Sequence, residues 1–427
     1  MPDATFRFLH ASDFHLEQPA VGLSEIPDQL TELLMDAPYQ AAKTVFDVAW
    51  NEDVDFVILS GNMLDCRLTG PRGPLFLVEQ FERLAERNIR VYWSGGISDP
   101  PSRWPDAFGA PENVVRFSDE QGMATTHYAE DGRPLAKILG INASSGHEID
   151  INRFSLRDEA DALDEPLYRI ATAWGEADTT ELLKRDVDYW ALGGRRQRST
   201  PTIPPGFSSV IHWPGSPQGR RPEEVGPFSC SLVHVDGASA RISNLPCCAY
   251  EWSIERIALD EKSTRDDLFL TAAERIETLA QTPGRTSETL VTWEVEGSGS
   301  LLREIARRDT DGDQDRAVSG ILRDLRDEGA KREPSIWSIA IRAAAPDVLS
   351  GAYYKQQSIL GDYLRTISHY QMNSGETIEL DSFLAGHPMA NELENVLRLE
   401  PLSVREEVLR EAALLGLDLL GGTDPLV

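Results

Sequence analysis

From residue 6 to about residue 245 the chain repeats one pattern. A short apolar run rich in β-branched and aromatic residues stops abruptly at a small or polar residue, and a helix-like or loop segment follows. The runs fall at 6–11, 56–60, 89–93, 136–141, 168–173, 187–192, 209–213 and 229–235. Runs of this length bounded by breakers read as strands buried in a sheet. In segments 39–50 and 75–86 apolar residues recur instead at three and four positions, the period of a helix with one buried face. Strands alternating with helices predict an α/β fold, a layered sheet covered by helices.

At 427 residues the chain is too long for one ordinary core, and two or three domains are expected. The first would occupy 1–245. Between 246 and 345 the order becomes strand, helix, strand, helix, strand (254–259, 268–279, 289–294, 316–327, 336–342), a small α/β unit. From 346 to 427 helix-forming stretches such as 353–369 and 404–415 dominate, and a helical segment able to pack on a partner is expected.

The formal charge of −29 repels polyanions at long range, so any nucleic-acid site has to be local. The N-terminal run MPDATFRFLHASDFHLE has no basic leader ahead of an apolar stretch, and no stretch approaches 18 consecutive apolar residues. A cytoplasmic protein without a membrane segment is expected. Cys66, Cys230, Cys247 and Cys248 form no CxxC spacing and are expected to be ordinary core or near-surface thiols. The run Asp309-Thr310-Asp311-Gly312-Asp313-Gln314-Asp315 has Gln where a calcium loop needs its sixth-position Gly and Gly320 where it needs Glu, so it reads as an acidic surface loop.

Five strand ends carry residues of a recurring kind. His10-Ala11-Ser12-Asp13-Phe14-His15 sets an Asp and a His two apart. Ser60-Gly61-Asn62-Met63-Leu64-Asp65 follows the second run, and Ser94-Gly95-Gly96-Ile97-Ser98-Asp99-Pro100 the third. Ala173-Trp174-Gly175 and Leu192-Gly193-Gly194-Arg195-Arg196 close two later runs, and Pro214-Gly215-Ser216-Pro217-Gln218-Gly219-Arg220 comes last. In this order the segments resemble the DxH, GDxxD, GNHDP, HG and GHxH motifs of calcineurin-like metallophosphoesterases. The PGSPQGR segment narrows the resemblance to SbcD-type DNA-repair nucleases. The resemblance covers about the first 245 residues and implies a phosphoesterase sandwich, two packed sheets flanked by helices, followed by a small α/β capping domain and a helical C-terminal segment.

The resemblance also shows what is missing. Asn62 stands where the family has Asp, Ile97 and Ser98 replace Asn and His, and Trp174, Gly194 and Arg196 replace three histidines. Two-metal hydrolysis holds cations roughly 3.5 to 4 Å apart. Such ions repel by about 19 kcal/mol even at an effective dielectric near 20, so a bridging carboxylate is needed, and Asn62 offers only a neutral amide. A two-metal centre is therefore not expected. Asp13 and His15, with Asn62 as a weak third donor, imply either hydrogen-bonding remnants or one loosely held Mn²⁺ or Mg²⁺. Asp99 loses the histidine it would orient.

Between Gly194 and Arg221 lie Arg195, Arg196, Arg198, Arg220 and Arg221 with no acidic residue among them. They read either as a local phosphate grip or as partners of surface carboxylates. Tyr189, Trp190, Phe207 and Trp213 flank them as base-stacking or core aromatics. Three functions follow: a non-catalytic structural or DNA-gripping subunit, a reduced-activity metal-dependent exonuclease or phosphoesterase, and a nucleotide or phosphate sensor. The resemblance further implies a homodimer working with an SbcC-type SMC-like ATPase that docks on C-terminal helices such as 359–367.

Overall fold

A computed structural model describes residues 5–23, 28–117, 123–143, 146–154, 167–302, 304–305, 317–344 and 354–372, together with scattered residues between 405 and 420. The acidic run 309–315 lies outside the described residues, as does half of the segment 404–415. The chain divides into two units: Met1–Glu255 with Ala272–Trp293 and Leu322–Ala340, and Arg256–Thr271 with Glu294–Ile321 and Ile341–Val427.

The first unit is built on two sheets. One joins β1 (Thr5–Ala11), β2 (Phe56–Ser60), β3 (Arg90–Ser94) and β4 (Val114–Arg116) in parallel, and continues from β1 into antiparallel β10 (Ser229–Asp236) and β11 (Ser239–Pro246). The other runs β5 (Met123–Tyr128), β6 (Pro134–Gly140), β7 (Tyr168–Trp174), β8 (Tyr189–Gly193) and β9 (Val210–His212), all parallel except β5. A third sheet has the order β12 (Tyr250–Leu259), β13 (Glu288–Gly297), β14 (Ile336–Ala343).

The period-2 alternation of strand side chains explains the layering. Phe6 and Phe8 of β1, Phe56 and Ile58 of β2 and Tyr92 of β3 face one way. They meet Ala136 and Ile138 of β6, Tyr168 and Ile170 of β7 and Tyr189 and Ala191 of β8 in a single buried cluster. Phe8 stacks on Phe56 at 5.2 Å and meets Tyr189 edge-on at 5.1 Å. The alternate residues Leu9, Ala11, Val57, Leu59, Val91 and Trp93 face the other way, onto α1 (Asp28–Asn51) and, beyond the short α2 (Cys66–Thr69), α3 (Arg72–Ala85). Both faces of this sheet are thus buried, as expected of parallel strands with crossover helices. On α1 the buried face is Leu30, Leu34, Ala37, Ala41, Val45 and Ala49, spaced by three and four. On α3 it is Leu77, Phe81 and Leu84.

One register step further along, the inward-facing positions become polar. His10, Ser60, Ser94 and Thr172 each follow an apolar inward residue by two positions. His10 Nε2 lies 3.0 Å from Ser60 Oγ, Thr172 Oγ1 lies 3.0 Å from Ser60 Oγ and 2.9 Å from Ser94 Oγ, and His10 Nδ1 reaches the Tyr189 hydroxyl at 3.2 Å. This satisfied polar layer floors the ends of β1, β2, β3, β7 and β8, where the loops of interest leave the sheets. The sheets approach closely here. A Cβ on Gly193 would lie 1.8 Å from the Ser60 carbonyl, and one on Gly61, at φ +81°, 2.7 Å from Trp174 Cβ, so only glycine fits either position.

Candidate functional site

The five strand-end segments singled out in the sequence converge at the carboxyl ends of the parallel strands, the end at which α/β sheets carry their sites. Their turns are sharp. Asp13, His15 and Asn62 all adopt left-handed backbone conformations, at φ 55°, 44° and 57°. Non-glycine residues rarely sit there, and strain of this kind collects at functional sites. Backbone bonds from Asp13 to the Gly61 carbonyl (3.0 Å) and from His15 to the Asn62 carbonyl (3.0 Å) stitch the first two loops together.

Asp13 is the hub. Its side chain is buried, and each carboxylate oxygen is taken by protein donors. Trp174 Nε1 donates to Oδ1 at 2.8 Å and Asn62 Nδ2 at 3.3 Å, while the Gly194 N–H donates to Oδ2 at 2.7 Å. His15 Nε2 stands 3.6 Å from Oδ1, and its Nδ1 is 3.2 Å from Glu17 Oε1. Burial disfavours the His15 imidazolium, but the hydrogen bonds to Asp13 and Glu17 outweigh it, and the pKa is raised. Glu17 shifts the opposite way: burial opposes its charge, and the His15 contact and the Asp65 N–H, 2.9 Å away, more than restore it. His15 thus stands between the carboxylates of Asp13 and Glu17.

Asn62 completes a bridge. Its Oδ1 accepts from the Ser98 N–H (3.0 Å) and Oγ (2.7 Å) while its Nδ2 faces Asp13, so the amide joins the first loop to the third. Asp99 anchors the same junction. It accepts from the N–H groups of Asn62 (2.8 Å), Gly96 (2.6 Å) and Met63 (2.9 Å) and from Trp93 Nε1 (3.0 Å). Burial still raises its pKa against those four donors. Deprived of a histidine to orient, this carboxylate serves as a backbone clamp. Ile97 is partly exposed and carries no donor side chain.

The arginines separate by role. Arg220 is turned inward, the whole residue only 4% exposed. Its Nη2 donates to the carbonyls of Asp13 (3.0 Å) and Phe14 (3.3 Å) and to Ser216 Oγ (3.1 Å), while Ser216 Oγ itself donates to the Asp13 carbonyl at 2.9 Å. Burial lowers its pKa. Arg195 forks onto Glu176 at 2.8 and 2.5 Å and lies 3.7 Å above the Trp213 ring. Arg196 pairs with Glu224. Arg198 and Arg221 are exposed, and among the described residues their side chains make no hydrogen bond or ion pair, although the Arg221 carbonyl accepts from the Glu224 N–H at 2.9 Å. Of the flanking aromatics, Tyr189, Trp190 and Trp213 are fully buried, and only Phe207 is open to solvent, at 50%.

Sequence reasoning placed Asp13, His15, Asn62, Ile97, Ser98, Trp174, Gly194 and Arg196 near one another, but not the use made of Trp174, Gly194, Glu17, Ser216 and Arg220. Trp174 offers only an N–H and so cannot ligate a cation as a histidine would, and that same N–H makes it a donor to Asp13. The donor set does not fit two cations. Among the described residues no group of three or more His, Cys, Asp or Glu side chains is arranged to hold an ion, and both oxygens of Asp13 already accept from the protein.

The fold is an α/β sandwich of two packed sheets, with the loops at the carboxyl ends of its parallel strands tied together by hydrogen bonds to Asp13. No family model matches the chain. It is similar to the uncharacterized metallophosphoesterase YhaO of Bacillus subtilis, with 30% identity over 246 residues, or 53% of this chain and 57% of that protein. The match therefore spans little more than half the length of that relative. A likeness to the solved structure of Yfce, a phosphoesterase from E. coli, covers 56% of this chain and 99% of that one at 12% identity and a TM-score of 0.25, too low to carry weight. No helix among the described residues is long and apolar enough to cross a membrane.

Proposed function

We propose that this chain is a phosphoesterase-fold protein that has given up two-metal hydrolysis and serves as a structural or DNA-gripping subunit of an SbcD-like repair assembly. The observation that carries the reading is the engagement of Asp13. A cation would have to compete for its oxygens with three protein donors, the indole of Trp174 and the amide of Asn62 on Oδ1 and the N–H of Gly194 on Oδ2. Similarity to a metallophosphoesterase supports the ancestry. The DNA contact falls to the exposed Arg198 and Arg221 with Phe207 beside them in sequence, because Arg195, Arg196 and Arg220 are committed to protein partners. The partner is an SbcC-type SMC-like ATPase docking on the helix Ile359–Met372, and the chain acts as a homodimer in the cytoplasm.

Duplex binding in EDTA, compared with an Arg198→Ala/Arg221→Ala variant, and co-purification with an SMC-like ATPase test this reading. Metal-independent binding that the double substitution weakens supports it. Binding that requires Mn²⁺, or that ignores both arginines, removes the gripping role. A second reading, a reduced-activity phosphoesterase using one ion on Asp13 and His15, draws on the retained left-handed backbone of both residues. Mn²⁺-stimulated cleavage abolished by His15→Ala would establish it.

A further inference from the structure

Four thiols remain free in the structure, and two of them touch. Cys230, the second residue of β10, stands opposite Leu245 of β11, and Cys247 lies two residues past Leu245, its N–H bonded to the Phe228 carbonyl at 3.1 Å. Residues two apart on a strand share a face, so Cys230 and Cys247 are diagonal neighbours across the ladder. Their sulfurs lie 3.3 Å apart, with side chains 0% and 3% exposed. Closing that gap to the roughly 2.05 Å of a disulfide asks for a movement of about 1.3 Å. The vicinal Cys248 points elsewhere, with its sulfur 3.5 Å from Glu251 Oε1.

We propose that Cys230 and Cys247 are an oxidisable pair, converted to a cross-strand disulfide by a small hydroperoxide. The Cys247 sulfur attacks the peroxide O–O bond and the alcohol or water leaves with the thiol proton, giving a sulfenic acid. The Cys230 sulfur then displaces the sulfenic oxygen, which departs as water with the Cys230 proton. In total two thiols are oxidised and one peroxide is reduced. The Cys247 contact and burial push the Cys230 thiol up, so the second step is slow at neutral pH and speeds as pH rises.

The pair lies at the base of the brace under Asp13. Two residues past Cys247, the Ala249 N–H donates to Gln218 Oε1 at 2.8 Å, and Gln218 Nε2 donates to the Tyr250 carbonyl at 3.0 Å. The Gln218 carbonyl accepts from Ser216 Oγ, which with Arg220 holds the Asp13 carbonyl. A bond formed at Cys247 therefore acts on a continuous chain of contacts that ends at the site, independently of whether that site binds metal.

The test treats the reduced full chain with hydrogen peroxide, unfolds it and counts thiols. A fall from four thiols to two, a 230–247 link found by peptide mapping, reversal by dithiothreitol and loss of the effect in Cys230→Ser support the proposal. Cys247→Ala serves as the second variant should the first fold poorly. Four thiols remaining after treatment of the folded protein, a link between any other pair, or an unchanged loss of thiols in both variants would overturn it.

Discussion

Replacing Trp174 with Phe keeps an aromatic ring at the end of β7 and removes the N–H that holds Asp13 Oδ1 at 2.8 Å. A hydrogen bond to a buried charged group contributes about 1.5–3 kcal/mol, because its loss leaves a carboxylate oxygen under-satisfied rather than returned to water. Trimming indole to phenyl in a side chain only 6% exposed adds a partial cavity, worth roughly 1 kcal/mol more. The expected loss is about 2.5–4 kcal/mol in urea denaturation, read as a lower midpoint at unchanged slope. A double-mutant cycle with Asp13→Asn separates the two parts, since the cavity term is indifferent to Asp13 and the hydrogen-bond term is not. Coupling near 1.5 kcal/mol or more is expected. Coupling near zero, or a Trp174→Phe variant as stable as the parent, would refute the assignment of the indole as a donor that holds Asp13.

Replacing Arg220 with Met strips the Asp13 and Phe14 carbonyls and Ser216 of a shared donor, and a loss of about 2–4 kcal/mol is expected by thermal or chemical unfolding, with Lys restoring little because it lacks the fork. Burial, with Arg198 nearby, holds His212 near a pKa of about 3, far below the unfolded value of 6.5. The unfolded chain therefore takes up the proton first as pH falls, and stability present above pH 6.5 drains away between about 6.5 and 3. His212→Asn should flatten the slope of stability against pH by about 1 kcal/mol per unit between pH 6 and 4, and an unchanged slope counts against a neutral buried imidazole. Arg198→Ala should leave stability within about 0.5 kcal/mol and lower the salt dependence of duplex binding by about one unit of slope, whereas an unchanged salt slope removes Arg198 from the contact.

Within the first 245 residues, most of the strands that sequence revealed are those buried on both faces. The run read at 56–60 is β2 itself, and the run at 168–173 is β7 short of Trp174. The strands it passed over are marginal in burial. β11 alternates exposed and half-buried residues along SARISNLP, β4 is three half-buried residues, and β5 carries Thr125 and Thr126 at a sheet edge. None offers the continuous apolar run by which a strand announces itself.

The order of the strand-end segments located the site, and the missing ligand types argued against two metals. What replaced them was hidden because the new partners of Asp13 are remote in sequence. Trp174 lies 161 positions and Gly194 181 positions from Asp13, and Arg220 reaches the Asp13 carbonyl across 207. The arginine cluster shows the same limit. It looked like a patch because no acid lies within it, yet Glu176 and Glu224 enter from outside the interval to pair Arg195 and Arg196.

Calorimetric titration of metal-stripped protein with Mn²⁺, joined to a nuclease assay on the same sample, tests the central claim most directly. Engagement of both Asp13 oxygens by Trp174, Asn62 and Gly194 leads to no stoichiometric binding below millimolar Mn²⁺ and no metal-dependent cleavage. Two tightly bound ions per chain with cleavage of DNA would contradict it, and would mean that the indole and backbone donors yield their places on Asp13 to cations.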